Sequence, residues 1–131
     1  MKTVSERTRR RRILVIEDDS ATRALLLSGL SDDFEVEEAG NGRDAIDLLQ
    51  AKSFDSLVLD MMMPIIDGFG VLHFLERQRP DLLKRVIVVT GADDQVIRLV
   101  PGEKVFGILT KPCGVLELAR TIEQCCGDAQ N

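Results

Sequence analysis

Four short, largely apolar runs, each ending on polar residues, constrain this chain more than any other feature. They are Ile13–Ile16 before Glu17, Asp18 and Asp19; Leu57–Leu59 before Asp60; Val86–Val89 before Thr90; and Val105–Leu109 before Thr110 and Lys111. Runs of this kind suit strands buried on both faces, as in a parallel sheet covered by helices. Phe34–Ala39 alternates in part and reads as one further strand. Between the strands the sequence predicts helices over Ser20–Leu30 with Ser20 as cap, Asp44–Gln50, Asp67–Gln78 stopped by Pro80, a weak Ala92–Val100 cut by Pro101-Gly102, and Val115–Cys125. Gly40-Asn41-Gly42 reads as a turn.

Five strands alternating with five helical segments predict an α/β domain. Its sheet is five-stranded and parallel, with helices on both faces and right-handed crossovers. A chain of 131 residues fits one such domain, and 44% hydrophobic residues can fill its core. The expected boundaries are an Arg-rich arm or linker at 1–12, the folded domain at 13–126 and a tail at 127–131.

Charge narrows the function classes. The net charge is −5, yet residues 1–12 hold six bases against Glu6, so the rest of the chain carries −10. An acidic body is a poor match for nucleic-acid phosphates, and without Trp or Tyr there is little to stack bases on. The arginine run reads as a solvated arm. Nothing approaches the roughly 18 apolar residues of a membrane span, and the apolar run after the arm is too short for a signal peptide. Cys113, Cys125 and Cys126 lack zinc-like spacing and read as reduced thiols of a cytoplasmic protein.

Ligands of parallel sheets bind beyond the carboxyl ends of the strands. Glu17, Asp18, Asp60, Thr90 and Lys111 all fall there. Clustered carboxylates repel, by roughly 4 kcal/mol for two unit charges about 4 Å apart at an effective dielectric near 20. A hard dication such as Mg²⁺ offsets that repulsion, Lys111 adds a mobile positive charge, and Thr90 adds a hydroxyl. A carboxylate, a metal, an ammonium and a hydroxyl together permit phosphoryl transfer to an aspartate. The bland alternative is an acidic rim without chemistry. An aspartyl phosphatase would want a second acid where Met62 stands, and a flavin carrier would want a Ser/Thr/Gly-rich loop where the acids stand.

The segments ILVIEDD (13–19), LVLDMMMPIIDG (57–68), VIVVTGA (86–92) and LTKP (109–112) occur in an order and spacing that resemble the receiver domain of two-component response regulators, over about residues 12–126. The resemblance implies a flavodoxin-like (βα)5 fold. It implies Asp60 as phosphoacceptor from a sensor histidine kinase or histidine phosphotransfer protein. It further implies Mg²⁺ held by Asp18, Asp60, the Met62 backbone carbonyl and, through water, Glu17. Thr90 and Lys111 would then contact the phosphoryl group, the Lys111–Pro112 peptide would be cis, and Asp19 would be a solvated neighbour. Such a domain is a regulatory phosphoacceptor rather than an enzyme acting on a separate substrate, with an unspecified downstream partner. A pseudo-receiver that only binds proteins is the competing expectation.

Three departures stand out. Ile108 occupies the place of the usual aromatic residue three positions before the lysine, and Phe106 is expected on the same strand face but further from the site. Gly91 replaces the usual Ala after Thr90, and Pro101-Gly102 shortens the fourth crossover helix. These point to signalling through another surface, or through an altered version of the family's usual output face. Met62 and Ala92 offer no carboxylate or amide to position water, which implies slow self-dephosphorylation. Met61 and Met62 are expected to border the site and Met63 to pack, while His73 reads as a packed or rim residue.

Overall fold

The computed structural model describes residues 10–61, 67–91 and 94–130. In chain order they form β1 (Arg12–Ile16), α1 (Ser20–Leu30), β2 (Glu35–Ala39), α2 (Gly42–Ala51), β3 (Ser56–Leu59), α3 (Gly68–Gln78), α4 (Pro80–Leu83), β4 (Val86–Thr90), α5 (Asp94–Leu99), β5 (Gly107–Thr110) and α6 (Val115–Gln130). All strand pairs are parallel, in the order β2-β1-β3-β4-β5. The expected α/β architecture is present.

Successive side chains of a strand point to opposite faces, and here each face meets helices. Ile13, Val15, Val58, Ile87 and Val89 pack with Leu26 and Leu30 of α1 and with Leu118 and Ile122 of α6. Leu14, Ile16, Leu57, Leu59, Val86 and Val88 pack with Ala45 and Leu49 of α2 and with Val71, Leu72 and Leu75 of α3. This double burial is why the strands read as unbroken apolar runs. β2 lies at the margin of the sheet, and its sequence EVEEA is accordingly mixed.

Several local expectations are corrected. Asp19, not Ser20, caps α1, because its side chain accepts the Thr22 N–H at 2.8 Å. Asn41 and Asp67 cap α2 and α3 in the same way. Arg79 leaves helical geometry, yet Pro80 then starts the short α4; a proline that cannot continue one helix is well placed at the first position of the next. Arg12, assigned to the arm, opens β1, and α6 runs on to Gln130 through the expected tail.

β5 starts two residues later than expected. The N–H groups of Lys104 and Val105 donate to the Pro101 carbonyl at 2.8 and 3.3 Å, and this turn delays the ladder until Gly107. Phe106 therefore packs on the α1/α6 side and Ile108 on the α2/α3 side, so they do not share a face. Met61 is fully buried in the α2/α3 core rather than bordering the site. Met62, Met63 and Ala92 lie outside the described residues. His73 is exposed on α3. Cys125 and Cys126 are buried in α6, and burial, followed by the neighbouring Cys125, pushes the Cys126 thiol up to about 11, so it is an unreactive packing residue.

Candidate functional site

The site forms where the chain reverses its direction across the sheet, with β2 on one side of β1 and β3 on the other. Ile16 pairs with Leu59, so the next residues, Glu17 and Asp60, emerge side by side. The backbone fixes both. Asp60 N–H donates to the Ile16 carbonyl and Glu17 N–H to the Ala39 carbonyl, each at 3.0 Å. On the other side Thr90 pairs with Thr110, and Lys111 N–H donates to the Thr90 carbonyl at 3.0 Å.

These placements gather the carboxylates. One oxygen each from Glu17, Asp18 and Asp60 lies within 4.8 Å of the others. Glu17 and Asp60 are buried, at 3% and 5% exposure, while Asp18 faces solvent. The donors are all oxygens and one side is open, which fits a small hard dication that keeps part of its water shell. Lys111 Nζ donates to Glu17 Oε1 at 3.0 Å and stands 3.8 Å from Asp60 Oδ2. Partial burial opposes the Lys111 charge, but the Glu17 hydrogen bond and the fields of Asp60, Glu17 and Asp18 together outweigh it and raise its pKa above the ordinary lysine value.

Thr90 is fully buried at the end of β4. The Lys111–Pro112 peptide is cis, as the resemblance implied. Met62, the remaining expected ligand, lies outside the described residues. A cavity of about 440 Å³ opens beside the acids, with Glu17, Asp60 and Lys111 at its polar end and Leu26, Val58 and Leu118 among its apolar walls.

Asp19 stays outside the carboxylate cluster, although it is more than a solvated neighbour. Hydrogen bonds from the Thr22 hydroxyl and then from the Thr22 N–H hold its carboxyl below the usual range, and it fixes the start of α1. Its own N–H donates to Glu17 Oε2 at 3.1 Å, so both oxygens of Glu17 are engaged.

Two further residues escaped sequence reasoning. Gly68 opens α3 directly against the backbone of Asp60 and Met61: a Cβ there would lie 2.5 Å from Met61 Cα and 2.9 Å from the Asp60 carbonyl oxygen. Only the Asp-Gly pair hinted at it. Arg23 of α1 donates through Nη1 to the Glu17 carbonyl at 2.8 Å and through Nε to Glu38 Oε1 at 2.7 Å. An arginine on an otherwise ordinary helix carries no sequence signal for that role.

Known proteins are similar to this chain in sequence and in fold. The family model for the response regulator receiver domain matches residues 13–123. The chain is 33% identical over 116 residues to the sensor kinase CckA of Brucella abortus, covering 86% of this chain and 12% of that protein. It is 42% identical over 92 residues to the response regulator MprA of Mycolicibacterium vanbaalenii, covering 70% of this chain and 38% of that one. The chain thus spans well under half the length of these curated relatives. A receiver domain from Clostridium thermocellum superposes with a TM-score of 0.82 at 27% identity, covering 92% of this chain and 97% of that one. A CheY-like receiver domain from Methanospirillum hungatei JF-1 gives 0.85 at 22% identity over 93% and 98%, a likeness of fold. With the sequence match running from β1 into α6 and the fold superposing on a receiver domain at 27% identity, this chain belongs to the response regulator receiver domain family.

Proposed function

We propose that the chain is a phosphorylation switch in two-component signalling, with Asp60 as the residue that takes the phosphoryl group. The observation that carries this reading is Lys111 Nζ lying between Glu17 and Asp60 while Asp18 completes an all-oxygen cluster. In this reading the phosphohistidine of a sensor kinase or histidine phosphotransfer protein is the donor. An Asp60 oxygen attacks phosphorus, the P–N bond breaks, and the histidine nitrogen leaves and picks up a proton. A bound Mg²⁺ would supply charge neutralisation, held by Asp18, Asp60, the Met62 carbonyl and, through water, Glu17. Lys111 neutralises a phosphoryl oxygen, and the Thr90 hydroxyl donates to another.

A pocket of this kind acts on its own carboxylate, so the product is an altered protein and the output is changed affinity for a downstream protein. Among the described residues no helix is long and apolar enough to cross a membrane, and cytoplasmic residence is part of the proposal. Ile108 packs into the α2/α3 core without an aromatic ring, which supports an output that does not depend on a swinging aromatic side chain. A pseudo-receiver would have no need for the intact arrangement of Glu17, Asp18, Asp60 and Lys111.

Incubation with radiolabelled acetyl phosphate and Mg²⁺ tests the reading. Label on the wild-type chain that disappears in Asp60→Asn is expected. Absence of wild-type label, or label that survives the substitution, would overturn it.

A further inference from the structure

We propose that Arg23 is a positioning residue for the cation site, holding the peptide between Glu17 and Asp18 in the orientation that lets both carboxylates serve one ion. The inference rests on reading the pocket as a cation-assisted phosphoacceptor.

Glu17 and Asp18 are consecutive, and consecutive side chains on an extended strand point apart. Their carboxylate oxygens nonetheless approach one another and Asp60 within 4.8 Å. The chain must therefore leave strand geometry at this peptide, and β1 does end at Ile16. Glu17 still donates its N–H to Ala39, but its carbonyl finds its partner off the sheet, in the Arg23 guanidinium. A buried carbonyl needs such a partner, and a charged donor binds it more firmly than a neutral one. Nη1 also approaches the Asp18 carbonyl, at 3.5 Å.

The guanidinium is itself held. Nε pairs with Glu38 Oε1 from β2 at 2.7 Å, and the Arg23 side chain is 20% exposed. Nη1 lies 3.3 Å from where a Cβ on Gly40 would stand, so the planar group is threaded through a gap that the glycine leaves open. One rigid fork thus ties α1, the margin of β2 and the acidic loop together. A lysine has a single donor nitrogen and cannot bridge the carbonyl and Glu38 in the same fixed geometry.

The test is Mg²⁺ titration by calorimetry of the wild-type chain, Arg23→Ala, Arg23→Lys and Glu38→Gln. Arg23→Ala should weaken Mg²⁺ binding about tenfold, the size expected when a group that orients a ligand is removed. Arg23→Lys should recover only part of the loss, and Glu38→Gln should weaken binding about two- to threefold. Labelling of Arg23→Ala by acetyl phosphate should need more Mg²⁺ yet approach the wild-type rate at saturation. In the metal-free proteins, hydrogen exchange at the Asp18 and Asp19 amides should accelerate while β3 and β4 amides stay protected, which separates loop release from general unfolding. Should Arg23→Ala fail to fold, the Glu38→Gln titration decides alone. Unchanged Mg²⁺ affinity in the folded Arg23 variants, beside a wild-type chain that binds and labels, would remove the positioning role only. A wild-type chain that neither binds Mg²⁺ nor labels would remove the phosphoacceptor reading and this inference with it.

Discussion

Lys111 Nζ donates to Glu17 Oε1 at 3.0 Å, so the cation nearest the acid cluster is one the protein carries itself. This ammonium competes with any dication for Glu17 and repels it from the cluster. Lys111→Met should therefore tighten Mg²⁺ binding, by about tenfold if the effective dielectric is that of a partly buried site. The same variant should label more slowly, because a phosphoryl oxygen loses its counter-charge. Calorimetry and acetyl phosphate labelling read the two effects separately.

Asp60 is 5% exposed beside Glu17 and Asp18, and their repulsion, offset only in part by Lys111 at 3.8 Å, works against the folded state. Asp60→Asn should stabilise the metal-free protein by about 1 kcal/mol. The advantage should shrink when Mg²⁺ is added, since the wild-type cluster then gains more from the ion than the variant does. Urea denaturation with and without Mg²⁺ checks both statements.

Gly68→Ala would set a methyl group within 2.5 Å of Met61 Cα. Backbone on both sides has no easy retreat, so a loss of about 1–3 kcal/mol is expected. Displacement of the adjoining Asp60 should also weaken Mg²⁺ binding. Full retention of both stability and affinity would show that α3 can slide away.

Glu37 links Lys52 and Arg12 by hydrogen bonds of 2.7 and 2.9 Å. The Lys52 bond, with Arg12 assisting against a smaller burial penalty, lowers its pKa from the ordinary glutamate value. A carboxyl group depressed in the folded state contributes stability that is complete above its unfolded pKa and is lost as pH falls through the folded value. Glu37→Gln should thus cost roughly 0.5–1 kcal/mol at neutral pH, a figure held down by partial solvent screening. The gap to wild type should narrow as the pH drops below about 4. Denaturation midpoints measured from neutral to acidic pH would show it.

What could be read from the chain beforehand followed from burial. Strands covered on both faces announce themselves as apolar runs, and the polar residues after each run fall at the same end of the sheet, which is why the sequence alone groups Glu17, Asp18, Asp60, Thr90 and Lys111. Signals with two meanings misled. Pro80 ends one helix and begins another, and both Asp19 and Ser20 are good caps, so only the Thr22 hydrogen bond chooses between them. Phe106 and Ile108 should share a face if the strand were regular, and the turn at Pro101–Val105 breaks that regularity. Arg23 was invisible because its partners are a backbone carbonyl and a glutamate fifteen residues away, neither of which leaves a local pattern.

The main chain at Asp60 is pinned from two directions, through its own amide to the Ile16 carbonyl and through the next carbonyl, that of Met61, which accepts the Gly68 N–H at 3.0 Å. If Asp60 takes a phosphoryl group as proposed, the new charge would therefore land on an anvil. The recoil would then have to be taken up by its neighbours, in the proposed roles first the long arm of Lys111 and the hydroxyl of Thr90, then the loops that bear them. On that reading, a message leaving this domain would begin as a rearrangement of neighbours around a residue whose backbone stays still.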